Sequence, residues 1–215
     1  MRSGLLVDYG GVLTTSVGRS FRAFCAEAGL DRDLVREVFI EAYDTPAGTG
    51  PVHLVETGSL TGEAFAAGLA EALTRRSGVT VDPDRLIDRL FASVHADERM
   101  LGAVAAVRAA GVRTGLLSNS WGRDSYPRDR FPALFDAVVI SGEVGLRKPD
   151  PPIYRLAARR LGLDPADCVF VDDIDTNVAA AEAVGMAGVV HRSADATIFR
   201  LAELLGLPPA VLAGL

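Results

Sequence analysis

Leu5-Leu6-Val7-Asp8-Tyr9-Gly10-Gly11 is the stretch whose reading decides the fold. Three apolar residues run without alternation into an aspartate and a pair of glycines. An unbroken apolar run of strand length, closed by turn residues, marks a strand buried on both faces. Asp8 then stands at the carboxyl end of that strand.

The same pattern recurs at Thr114-Gly115-Leu116-Leu117, Ala137-Val138-Val139-Ile140, Cys168-Val169-Phe170-Val171 and Gly188-Val189-Val190. Helical periodicity separates these runs over 100–110, 152–161 and 177–184, each ending at a glycine: Gly111, Gly162 and Gly185. Glycine at that place is the usual helix stop. Strands alternating with helices predict an α/β protein with a parallel sheet between helical layers. Ligands of such sheets bind beyond the carboxyl ends of the strands, which nominates Asp8, Ser118, Ser141 and Asp172.

Between the first strand and Met100 the character changes. Phe21, Phe24, Cys25 and Ala28 form one helical face, Leu34, Val35, Val38 and Phe39 a second, and Phe65, Leu69 and Leu73 a third. The segment reads as an all-helical insertion, punctuated at Thr45-Pro46-Ala47-Gly48 and Gly50-Pro51.

The 215 residues carry a formal net charge of -6, with 49% hydrophobic and 23% charged residues, so a folded soluble chain is expected. No basic stripe is present to attract nucleic acid. No apolar span reaches membrane length, no signal-peptide core is visible at the N-terminus, and a cytoplasmic location is expected. Cys25 and Cys168 sit in apolar segments as small buried hydrophobes.

Four segments gather at one sheet edge: Asp8 to Leu13, Leu117-Ser118-Asn119, Arg147-Lys148-Pro149, and Val171-Asp172-Asp173 with Asn177 behind. Carboxylate and other oxygen donors suit a hard cation such as Mg2+, and a lysine holds phosphate charge. Each residue alone has an ordinary reading. Asp8 is a turn residue, Asp172 or Asp173 a helix cap, Ser118 and Asn119 loop formers, and Lys148 a solvated side chain. Their order is what distinguishes them.

That order resembles the haloacid dehalogenase superfamily of phosphohydrolases along the whole chain. The segments 55–61 and 145–150 look most like the epoxide hydrolase N-terminal phosphatases and the sugar-1-phosphate phosphatases. The resemblance implies a doubly wound, Rossmann-like core at 1–14 and 100–215, with a small helical cap domain inserted at 15–99. It makes Asp8 the nucleophile that forms an aspartyl-phosphate. Ser118 and Asn119 donate to the phosphoryl oxygens, the Tyr9 N–H adds a further donor, and Lys148 compensates charge. Mg2+ is held by Asp8, the Gly10 carbonyl and Asp173, with Asp172 as a further candidate. The implied partner is a small phosphorylated metabolite, and a homodimer is left open.

One departure stands out. Two residues after the nucleophile the typical phosphatase of the family carries a second aspartate as general acid and base; here the residue is Gly10, as in members resembling the sugar-1-phosphate phosphatases. General acid–base catalysis contributes roughly 10²–10⁴-fold, so leaving groups that need little protonation suffer least from its loss. Anomeric sugar, acyl and aryl phosphates are of that kind. The rival readings are a 2-haloacid dehalogenase, and a catalytically weak regulatory protein that binds phosphate esters. Among side chains near the site, Trp121 is expected to pack at the domain junction or line the pocket, and His53 alone of the histidines is placed near a substrate.

Overall fold

The computed structural model describes residues 2–43, 49–122 and 126–212. The turn signal at Thr45-Pro46-Ala47-Gly48 lies outside them.

Five strands, β1 (Gly4–Val7), β2 (Arg113–Ser118), β3 (Ala137–Ile140), β4 (Cys168–Asp172) and β5 (Ala187–Val190), form one parallel sheet in the order β3-β2-β1-β4-β5. All five coincide with the apolar runs read from sequence. Successive strand residues face opposite sides, and both sides are covered. Leu5 and Val7 join a cluster with Met100, Val104 and Leu201. Leu6 joins Ile153, Tyr154 and Ala181 on the other face. This double burial explains why the strands are continuously apolar rather than alternating.

In chain order the helices are α1 (Val17–Ala28), α2 (Arg32–Tyr43), α3 (Pro51–Glu56), α4 (Gly62–Ser77), α5 (Leu86–Leu90), α6 (Glu98–Ala109), α7 (Phe131–Leu134), α8 (Ser141–Val144), α9 (Pro151–Arg160), α10 (Asp175–Ala183), α11 (Ala194–Leu205) and α12 (Pro209–Leu212). Helices α6 and α10 start two residues earlier than their apolar periodicity suggests. Asp97 caps α6 by accepting from the Arg99 and Met100 amides at 3.1 and 3.0 Å. Polar first turns favour the positive helix end but carry no apolar period to read.

Helices α1 to α5 surround a second apolar cluster whose buried members all lie between Phe24 and Leu90, with Phe39, Phe65 and Leu73 among them. Helices α3 and α5, six and five residues long, are too short to show a period in sequence. The chain passes into and out of this region side by side. The Thr15 amide donates to the His95 carbonyl at 2.8 Å and the Asp97 amide to the Leu13 carbonyl at 2.9 Å, and Thr14 bridges Ala96 in antiparallel fashion. Among the described residues no helix is long and apolar enough to cross a membrane.

Candidate active site

Strand β1 lies at the centre of the sheet, where the strand order reverses direction, and open parallel sheets place their ligand sites at such a point. The Asp8 amide extends the ladder by donating to the Val171 carbonyl at 2.9 Å, which sets Asp8 beside Asp172 at the end of β4. The chain then turns tightly, with the Leu13 amide bonded to the Tyr9 carbonyl at 2.9 Å. Gly11 adopts φ 79 in this turn, and a Cβ there would run into the Asp173 carboxylate. Glycine is therefore required at 11 on two counts.

Lys148 is the hub. Only 1% exposed, it places Nζ 2.8 Å from Asp8 Oδ1 and 2.6 Å from Asp172 Oδ2. The Asp172 carboxylate is fully engaged. Besides Lys148 it accepts from the Asn177 amide at 3.1 Å on both oxygens and from the Ile174 N–H at 2.9 Å. Asn177 thus backs the last loop, as its place in the sequence suggests.

Asn119 has an employment that the sequence does not show. Its Oδ1 accepts from the Lys148 N–H at 2.9 Å and its Nδ2 donates to the Lys148 carbonyl at 3.0 Å. This reciprocal pair aims the lysine. Ser118 Oγ lies 3.0 Å from the Tyr126 hydroxyl, and the Tyr126 ring packs 5.1 Å from that of Tyr9. Ser141 begins α8 and works away from the carboxylates: its hydroxyl accepts from the Ser120 amide and donates to the Glu56 carbonyl.

Carboxylate oxygens of Asp8, Asp172 and Asp173 all lie within 4.8 Å of one another. Three acids therefore share one ammonium. Burial, reinforced by the Asp172 and Asp173 charges and opposed by Lys148, pushes the Asp8 carboxyl up to about 7. Burial and Asp172 likewise raise Asp173. For Lys148 burial alone would lower the ammonium, but Asp172 and Asp8 outweigh it and the net direction is upward. Elevated carboxyls beside an already saturated lysine signal negative charge short of a positive partner. That donor set fits a hard divalent cation.

The cluster opens into a cavity of about 310 Å³, whose floor includes Asp8, Tyr9, Gly10, Ser118, Asn119 and Asp173. Trp121 lines this cavity and packs with the second apolar cluster, so both expected roles belong to it. His53 does not line it and stacks edge-on against Tyr43, with ring centroids 6.0 Å apart.

Two further features escape sequence reading. Tyr126 joins Ser118 through contacts that only folding creates, and burial pushes its hydroxyl up to about 12, keeping it a proton-bearing donor. Glu56 of α3 is buried and paired with Arg147 at 2.5 Å, and it also receives the Tyr43 hydroxyl at 3.4 Å. Both partners lie in segments that carry the family likeness, but sequence assigns them no role. Arg147 immediately precedes Lys148, so this pair ties the helical region to the loop bearing the hub.

The sequence pattern of the family described as haloacid dehalogenase-like hydrolase matches residues 3–185. The chain is 28% identical over 211 residues to acyl-CoA dehydrogenase family member 10 of Mus musculus, covering 95% of this chain and 19% of that one. It is 28% identical over 205 residues to bifunctional epoxide hydrolase 2 of Mus musculus, covering 88% and 36% respectively. The chain thus spans well under half the length of these relatives. Among solved structures, a HAD family enzyme of Bacteroides thetaiotaomicron in complex with magnesium and inorganic phosphate superposes with a TM-score of 0.61 at 20% identity, over 89% of this chain and 95% of that one.

Proposed function

Since this chain belongs to the haloacid dehalogenase-like hydrolases, we propose that it is a Mg2+-dependent phosphatase of a small phosphomonoester, with Asp8 as its nucleophile. The observation that carries this reading is the buried triangle of Asp8, Lys148 and Asp172 with Asp173 alongside, opening into one cavity. The magnesium and phosphate of the Bacteroides neighbour and the phosphatase domains that the sequence resembles support it.

Lys148 holds one Asp8 oxygen, and the Asp8 side chain makes no other hydrogen bond among the described residues. Its second oxygen is the one that attacks phosphorus. The ester P–O bond breaks as the new bond to Asp8 forms, and water then releases phosphate from the aspartyl-phosphate, dividing one displacement into two. Ser118 and the loop N–H groups at Tyr9 and Gly10 bind the phosphoryl oxygens. Asn119 acts through Lys148, by holding its backbone. Magnesium, bound by Asp8, the Gly10 carbonyl and Asp173, would relieve the repulsion between carboxylate and phosphate. Asp172, with every lone pair engaged, serves instead as the fixed counter-ion of Lys148. Residues 15–99 form the cap that closes the cavity and excludes water.

The test is phosphate release from sugar, acyl and aryl phosphates by protein stripped with EDTA, with and without added Mg2+. Release that appears with the metal supports the reading. No release from any ester in Mg2+ ends it. The dehalogenase alternative would show as halide release from 2-chloropropionate without metal.

Gly10 itself provides a sharper expectation. Its backbone is not in the left-handed region, and a Cβ there would meet only Val17 Cγ2, at 3.3 Å. Gly10→Asp is therefore accommodated by a small shift of Val17. It should raise kcat for alkyl phosphates by roughly 10–100-fold while changing aryl phosphates little, because only the former need a proton on the departing oxygen. An equal change for both classes would show that the added carboxyl is not acting as the acid.

A further inference from the structure

We propose that the ester group this site accepts is aromatic: an aryl phosphomonoester of one or two rings rather than a sugar phosphate. The inference rests on the phosphatase reading and concerns the apolar part of the cavity lining. That part is made by Val17, Phe91, Val94, Trp121, Ile174 and the Tyr43 ring, in a lining that also includes Thr14, Glu56 and His95.

Trp121 is held in place before any ligand arrives. Edge-on neighbours surround it: Phe91 at 5.5 Å, Phe39 and Phe65 at 6.1 Å, and Phe21 at 6.2 Å between ring centroids. A flat apolar surface fixed in this way binds a ring without first having to be ordered. Ile174 leaves 51% of its surface exposed where the cavity meets the phosphate end. An apolar ligand would cover it.

Apart from His95, which also lines the cavity, the polar side chains here are largely committed. Glu56 is taken by Arg147 and the Tyr43 hydroxyl. A sugar brings several hydroxyls that each need a partner when they leave water, and this wall provides few. Pockets for small ligands start near 300 Å³, so about 310 Å³ suits one or two rings. The chemistry at Gly10 points the same way independently. A phenol ionises near pH 10, as tyrosine does, so phenolate departs without the acid this chain lacks.

Aryl esters are intrinsically reactive, so the test must separate recognition from leaving-group ability. Phosphonates do so, because their P–C bond is not cleaved. In Mg2+, phenyl- and 1-naphthylphosphonate are expected to inhibit competitively with Ki values about 10-fold or more below that of 2-hydroxyethylphosphonate, the scale on which apolar pockets discriminate. Trp121→Ala and Ile174→Asn should each shrink that ratio roughly threefold or more. Ile174 lies at the surface, so its variant keeps the test sound if Trp121→Ala misfolds. Equal inhibition by the polar and aryl phosphonates, or a ratio untouched by Ile174→Asn, overturns the inference while hydrolysis of phosphate esters still stands. Absence of hydrolysis of every ester in Mg2+ overturns the phosphatase reading, and this inference with it.

Discussion

Asp8→Asn is expected to lower Mg2+-dependent phosphate release by about 10³-fold or more, the scale of losing a covalent nucleophile. The amide has nearly the same shape and cannot form the aspartyl-phosphate. What makes the variant diagnostic is that it should not cost folding stability. In the metal-free protein the Asp8 carboxyl is pushed up to about 7 by burial and by two neighbouring acids, with Lys148 opposing. The folded state therefore holds that proton more tightly than the unfolded chain, whose aspartate titrates near 3.9. As pH rises through this window the native state loses stability, and ionised Asp8 is a burden at neutral pH. Removing the charge should leave the Tm in EDTA unchanged or higher. The same variant should lose much of the Tm rise that Mg2+ gives wild type. Activity within 10-fold of wild type in a purified, folded variant would remove Asp8 from the mechanism.

The second large effect falls on Lys148. Lys148→Met leaves Asp8 and Asp172 buried together without the ammonium that lies 2.8 and 2.6 Å from them. Breaking a buried pair by removing one partner costs on the order of 3–5 kcal/mol. For a chain of this size that corresponds to a Tm lower by roughly 6–20 °C. Catalysis should fall by about 10³-fold as well, since the attacking carboxylate loses its anchor and the phosphate its counter-charge. The pH dependence identifies the cause. Without the lysine the Asp8 carboxyl is raised further above its unfolded value, so the penalty is full above neutral pH and fades as Asp8 takes up its proton toward pH 5. Urea denaturation at pH 8 and pH 5 reads this directly. A loss of equal size at both pH values would mean that the lysine contributes packing rather than charge.

The sheet and the acid-bearing edge were legible because each strand is covered on both faces, and that burial writes itself into Leu5 to Val7 and Cys168 to Val171 as unbroken apolarity. Asp8 and Asp172 were legible because positions at the ends of such strands face the ligand edge, while Lys148 and Asp173 stood out only through the order of the segments that carry the family resemblance. The use made of Asn119 was not. An amide bonded to the Lys148 backbone 29 positions away looks the same in sequence as one that binds phosphate. Glu56 and Arg147, 91 positions apart, are joined only when α3 packs over the loop. Tyr126 is hidden for a similar reason, since its role comes from the Ser118 hydroxyl above which folding places it. Short helices such as α3 and α5 leave no period to find.

The paired crossings between Leu13 and Asp97 have a consequence for ancestry. Because Thr14 and Ala96 are already bonded neighbours, the chain enters and leaves the helical region at adjacent points, while Glu56 fastens that region to Ser141 and Arg147 as well. Residues can therefore be gained or lost between those two points without recutting the sheet or altering the pairing of β1 with β4.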